Sequence, residues 1–186
     1  MDRDQIVDRA LTLVETEGDA ALSIRGLARD LDVSAPALYE YIESRDDLLR
    51  LMAQRGYDEL ATRWQSINGP PVDWLLQTGR AYVEYAVERP NLFTLMHRFA
   101  PEAIVGDPGV EHPAATVLFD EGLSQIRLAI AAGDLRDEDP LDLAVALWSA
   151  AHGVATVAIM TPGLIDQQDL ADLVVGSLLE AWRPAR

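Results

Sequence analysis

The chain has 186 residues, 49% of them hydrophobic, with 31 acidic and 15 basic side chains and a net charge of −16. That length suits one domain, or a small module joined to a larger one, and the apolar share is enough for a sizeable core. Cysteine is absent, which excludes disulfides and thiolate metal sites and fits a reducing, cytoplasmic setting.

The pattern is helical from end to end, with no sustained alternation that would mark a strand, so the expected fold class is all-α with nine helices. The opening "MDRDQIVDRALTL" is acidic and amphipathic, unlike the basic-then-apolar order of a signal peptide. Asp2 and Gln5 resemble a capping box, Ile6, Ala10, Leu13 and Val14 share one face, and Gly18 closes helix 1. Ser23 caps helix 2, whose Ile24, Leu27, Ala28 and Leu31 point inward. After "LDVS", Ser34 caps helix 3, and Pro36 fits its first turn because no intrahelical donor is needed there. Ser44 with Asp47 caps helix 4, which leads into "NGPP" at Asn68–Pro71.

Helix 5 is expected over about Asp73–Arg89, a short helix 6 over "NLFTLMHRF", and a loop over 100–113. Helix 7 follows from about Ala114 to Ala132 and Gly133. Asp139–Pro140 opens helix 8, "TPG" ends it, and helix 9 covers about Asp166–Trp182. Leu141–Met160 is 20 residues long with one carboxylate, Asp142, which is enough to span a bilayer. Ser149, His152 and Thr156 lie within it and no basic cluster flanks it, so a buried helix of a soluble protein, with no membrane partner, is the expected reading.

"SIRGLARDLDVSAPALYEYI" (Ser23–Ile42) reads as two short helices and a sharp turn, the second helix opening on small residues that let its N-terminus approach base edges. Ser34 and the free amides of that turn suit phosphate. Tyr39 and Tyr41 are two residues apart, so they are expected to diverge by about 200° and reach phosphates on different sides of a groove. The same residues also suit an ordinary three-helix core. Only −1 of the net charge falls within Ser23–Ile42, and charges beyond a Debye length of about 8 Å are screened, so an acidic chain of this kind binds DNA specifically and bulk DNA poorly.

"LARDLDVSAPALYEYIESRDDLL" resembles the helix-turn-helix signature of the tetracycline-repressor (TetR) family of transcriptional regulators, over about residues 3–50. The resemblance implies a double-stranded DNA operator read by helix 3. It places Ala35, Pro36 and Ala37 at the bases, and Tyr39, Tyr41 and Arg45 on phosphate. Ser23, Arg25, Ser34 and Glu40 complete the expected DNA-binding set. Asp32 stands where the family has a turn glycine, Ile42 where it has Phe and Arg45 where it has Lys. Glu40 stands where a neutral or basic residue is commoner, and a carboxylate there can accept from cytosine.

Residues 1–50 are the expected DNA-binding domain and 51–186 an effector-binding and dimerisation domain. Helices 8 and 9 are apolar on more than one face; in helix 9, Leu170, Leu173, Val174, Ser177, Leu178 and Ala181 form a stripe beside Val175 and Leu179. The resemblance implies that these two helices build a homodimer, whose two-fold axis matches a palindromic operator. Trp74, Thr78, Tyr82, Phe93, His97, Phe119, Trp148 and His152 are candidates for the wall of a small-molecule effector pocket, though each also serves as plain core. "LWSAAHGV" resembles the Trp…His-Gly motif of a TetR subgroup called WHG. His97, His112 and His152 lack metal spacing, no phosphate-cradling glycine loop occurs, and neither a metal, a cofactor nor an enzyme activity is expected. The function implied is a ligand-responsive regulator, a repressor released from its operator by a small, largely apolar effector. The rival is an acidic all-α interaction or small-molecule-binding protein that never touches DNA.

Overall fold

The computed structural model describes residues 1–99, 113–164 and 166–184; the loop expected over 100–113 and His112 fall outside them, apart from Pro113. The described residues form nine helices and no strand. They are α1 (Arg3–Glu17), α2 (Ile24–Asp30), α3 (Ala35–Leu38), α4 (Arg45–Gln65), α5 (Pro71–Glu88), α6 (Pro90–Arg98), α7 (Pro113–Ala131), α8 (Pro140–Met160) and α9. A 3₁₀ turn, Asp19–Ala21, follows α1. Helix α9 is assembled from Gln167–Ala171, a π-helical turn Asp172–Gly176, and Ser177–Ala181.

Most boundaries follow from capping chemistry. Asp2 accepts from the Gln5 amide at 2.9 Å while the Gln5 side chain accepts from the Asp2 amide at 3.0 Å, satisfying two orphan donors of α1. Gly18, at φ 78°, turns the chain out of α1 as only glycine does cheaply. The hydroxyls of Ser23 and Ser34 accept from the amides of Gly26 and Ala37. Asp139 and Asp166 do the same for α8 and α9. Pro90 does more than stop α5: it is the first residue of α6.

The chain divides into two compact units. The first contains residues 1–58 and 89–112, and holds α1, α2, α3, the first two thirds of α4, and α6. Its buried residues include Ile6, Ala10, Val14, Leu27, Leu38, Ile42, Leu48, Met52 and Met96. Gly56 lets α4 approach α6 closely: a Cβ there would lie 2.5 Å from the Met96 sulfur. Arg55 joins α4 to Asp4 and Asp8 of α1.

The second unit contains residues 59–88 and 113–186. Within it α5 packs against α7, α8 and α9. Leu143, Leu147, Ala151, Val154 and Ala155 bury one face of α8. Ala171, Val175, Leu179 and Trp182 bury one face of α9, and Val175 sits over Gly79 of α5, 3.1 Å from where a Cβ would be. A bidentate Arg80–Asp172 pair closes the same α5–α9 contact, and it raises the guanidinium pKa and lowers that of the carboxyl.

The expectation of a buried α8 holds for one face only. The helix is long and apolar enough to cross a membrane, yet only a third of its apolar stretch is covered within the chain. Val145, Ala146, Ser149, Gly153, Thr156, Val157 and Met160 are left exposed, a face of small and apolar residues at helical spacing.

Candidate nucleic-acid interface and effector wall

The turn between α2 and α3 is built by Asp32, which adopts φ 55° where a glycine would be easier. Beyond it, the Ser34 cap fixes the start of α3, and Ala35, Pro36 and Ala37 project no bulky side chain from the first turn. Ser23 and Ser34 each keep a hydroxyl hydrogen after accepting the cap bond, a donor suited to phosphate. An open depression of about 580 Å³ runs along this turn, lined by Arg25, Ala28, Arg29, Asp32, Val33, Ser34 and Ala35. Two guanidinium groups against one carboxylate give it positive character in an acidic chain. Arg29 was not among the expected contacts, although its position four residues after Arg25 puts both on one face of α2.

The end of this motif is a closing turn rather than a continued helix. Helix α3 stops at Leu38, and the amides of Tyr41 and Ile42 both donate to the Leu38 carbonyl in a closing turn. Tyr39 and Tyr41 therefore lie in this turn and not in a continuous helix. Tyr39 is 53% exposed, whereas Tyr41 is half-buried, and its carbonyl accepts from Arg3 Nε at 2.9 Å. Arg45 is half-buried and tied back by two carbonyls: Nε donates to that of Leu22 at 2.9 Å and Nη2 to that of Asp19 at 2.5 Å. Glu40 remains exposed beside them.

The expected effector residues are divided between the units. Phe93 and His97 belong to the first, where His97 Nδ1 donates to the Phe93 carbonyl at 2.8 Å and its ring lies 4.3 Å from that of Phe93 and 6.2 Å from that of Tyr57. Tyr57 OH donates to the Met96 carbonyl, and burial pushes its pKa up. Trp74, Thr78, Tyr82, Phe119, Trp148 and His152 belong to the second unit.

There the side chains of Tyr82, Trp148 and His152 come together. Tyr82 OH and His152 Nδ1 are 3.0 Å apart, and the Trp148 ring lies 5.9 Å from the imidazole. Burial lowers the His152 pKa, so the neutral ring prevails at pH 7. Thr78 is buried, but its hydroxyl donates to the Trp74 and Leu75 carbonyls of its own helix and is spent there. Trp64, at the end of α4, stacks edge-on against Trp74 with centroids 5.5 Å apart. Among the described residues its buried indole N–H finds no acceptor. No spacing in the sequence singled out Trp64, because an unsatisfied donor is visible only once its surroundings are folded.

The family described as "Tetracyclin repressor-like, C-terminal domain" matches residues 75–178, more than half of the chain. The chain belongs to the TetR family of transcriptional regulators. An HTH-type transcriptional regulator of Mycobacterium tuberculosis is 28% identical over 91% of this chain and 74% of its own length. Among solved structures, a Rhodococcus protein of unknown function superposes with a TM-score of 0.84 at 23% identity, over 98% of this chain and 95% of its own. AibR, solved with isovaleryl coenzyme A and operator DNA, superposes with a TM-score of 0.68 at 20% identity, over 95% and 97%. These two share the TetR fold with the chain. As a TetR regulator it is a DNA-binding protein rather than an enzyme.

Proposed function

We propose that this TetR regulator is a cytoplasmic homodimeric repressor, released from a palindromic operator when residues 51–186 bind a small, largely apolar effector. Residues 1–50 carry the DNA contacts: Ala35 to Ala37 at base edges, and Ser23, Arg25, Ser34, Tyr39, Tyr41 and Arg45 on phosphates. The dimer forms through the exposed faces of α8 and α9. The effector wall within the second unit comprises Trp74, Tyr82, Phe119, Trp148 and His152, with the orphan indole N–H of Trp64 as a donor. The single observation that carries the effector reading is the Tyr82–His152 hydrogen bond beside Trp148, a polar pair on an otherwise apolar wall. An effector acts only if it favours one spacing of the recognition helices over another.

The test is release of the protein from a duplex it has selected, by an apolar compound found in a chemical library. His152→Ala should bind the duplex as the wild type does and resist release. Loss of DNA binding and of melting temperature together, with release intact in the folded fraction, would assign His152 a structural role and remove it from the wall.

A further inference from the structure

Arg45 is held by two backbone carbonyls, those of Asp19 and Leu22, at the two ends of the 3₁₀ turn that follows α1. Leu22 is buried, but none of Asp19, Ala20 and Ala21 is, so packing does little to fix the Asp19 end of this corner. Gly18, at φ 78°, precedes it and gives it a soft joint. What does fix it is α6. The Asp19 carboxylate pairs with Arg98, the last residue of α6, at 2.6 Å. At the other end of the same helix, Arg89 pairs with Glu15 at 3.0 Å and Asn91 Nδ2 donates to the Glu15 carbonyl at 3.0 Å. Helix α6 therefore grips the end of α1 and the turn after it at two points, nine residues apart.

We propose that Asp19 and Arg98 are positioning residues for DNA binding: Arg98 holds the Asp19 corner, and the corner's carbonyls aim the Arg45 guanidinium at phosphate. The proposal rests on the reading of Arg45 as a phosphate contact. Of the five N–H donors of Arg45, two are spent on the carbonyls, which fix the plane of the group. The remaining three lie in that plane, and their direction is set by where residues 19 and 22 stand. A guanidinium recognises phosphate through a rigid fork, so a small rotation of that plane costs more than it would for a lysine. Arg98 lies outside the helix-turn-helix resemblance, Asp19 precedes its Ser23–Ile42 core, and neither is among the expected DNA contacts.

The sign of one substitution separates this mechanism from plain electrostatics. Asp19→Asn removes a negative charge from a DNA-binding unit, which by charge alone tightens binding. If Asp19 positions Arg45, the same change weakens it. The probe is the duplex that the wild-type protein enriches from a random pool, with affinity measured against salt for Asp19→Asn, Arg98→Ala, Arg98→Lys, Arg45→Ala and the Arg45→Ala/Arg98→Ala double variant. Arg98 is 49% and Asp19 31% exposed, and exposed pairs of this kind contribute little to folding, so the variants should melt near the wild type. We expect Asp19→Asn and Arg98→Ala to weaken binding at least about threefold each, Arg98→Lys to recover most of it, and Arg98→Ala to add almost nothing in the Arg45→Ala background. Tighter or unchanged binding by Asp19→Asn, or additive losses in the double variant, would overturn the positioning role. If Arg45→Ala itself leaves affinity and salt slope unchanged, it is the phosphate-contact reading of Arg45 that falls, and the positioning proposal falls with it.

Discussion

Tyr39 offers the cleanest residue-level test of DNA contact, because more than half of its surface is exposed. Tyr39→Phe removes one hydroxyl and should leave the melting temperature unchanged. A hydroxyl bond to a charged phosphate contributes about 1.5–3 kcal/mol, so affinity for a selected duplex should fall by roughly tenfold or more in titrations at moderate salt. Unaltered affinity would remove Tyr39 from the contact set. His152 makes a different prediction. Its pKa is lowered by burial in the folded chain, so the unfolded chain takes up the proton first as pH falls. The stability that depends on the neutral ring is complete above about pH 6.5, the ordinary imidazole value, and is lost progressively below it until the folded ring also titrates. Melting curves from pH 7.5 to 5 should therefore show a decline that His152→Gln makes shallower, and an identical decline in both proteins would contradict this. Such residue-scale detail was only partly legible beforehand. The side-chain caps at Asp2, Ser23, Ser34, Ser44 and Asp139 are local chemistry and can be read from the sequence. The ties of Arg45 reach back 23 and 26 residues, and those of Arg98 reach back 79, distances at which sequence pattern carries no signal.

At the scale of elements, the approach of α4 to α6 through Gly56 is a packing decision whose cost can be weighed. Gly56→Ala gains up to about 1 kcal/mol of helix propensity. Against this, the new Cβ would sit 2.5 Å from Met96 Sδ, 2.9 Å from its Cγ and 3.2 Å from Leu92 Cγ. Met96 and Leu92 are both fully buried and have nowhere to swing. Overpacking of this kind costs about 1–3 kcal/mol, so the clash wins and the variant should melt several degrees lower by calorimetry. A melting point at or above the wild type would show that Met96 can repack. Helix existence was legible throughout because apolar periodicity and breakers agreed. The choice of faces on α9 was not. Ala171, Val175, Leu179 and Trp182 are the ones buried, whereas the sequence offered two adjacent stripes with nothing to rank them. The early end of α3 was missed for a similar reason: Tyr39 and Glu40 have no strong helix-breaking character, and the closing turn is imposed by bonds to the Leu38 carbonyl.

At the scale of the whole molecule, the uncovered face of α8 and Leu173 of α9, 65% exposed, carry the dimer reading. An obligate interface built there should bury about 2,000 Å² or more, mostly apolar. Val157→Glu or Leu173→Glu places a charge on a surface that is already exposed in the single chain, so each should leave the protomer folded and yield monomers by sedimentation at micromolar concentration. Dimers that persist in both variants would exclude this face. The charge of −16 bears on the proposed selectivity: with few guanidinium groups expected to meet DNA, binding would lean on helix α3, serine and tyrosine hydroxyls and a small number of arginines. The central claim is that this acidic chain reads a particular DNA sequence. The most direct measurement is a mobility shift of fragments of its own genome at increasing salt and increasing unrelated competitor DNA. The account predicts that a few fragments bind saturably, resist competitor, and share a palindromic site, with a shallow salt slope that reflects few phosphate contacts. Binding that is spread evenly over all fragments and lost to competitor at the same rate, or no binding at low salt, would contradict it.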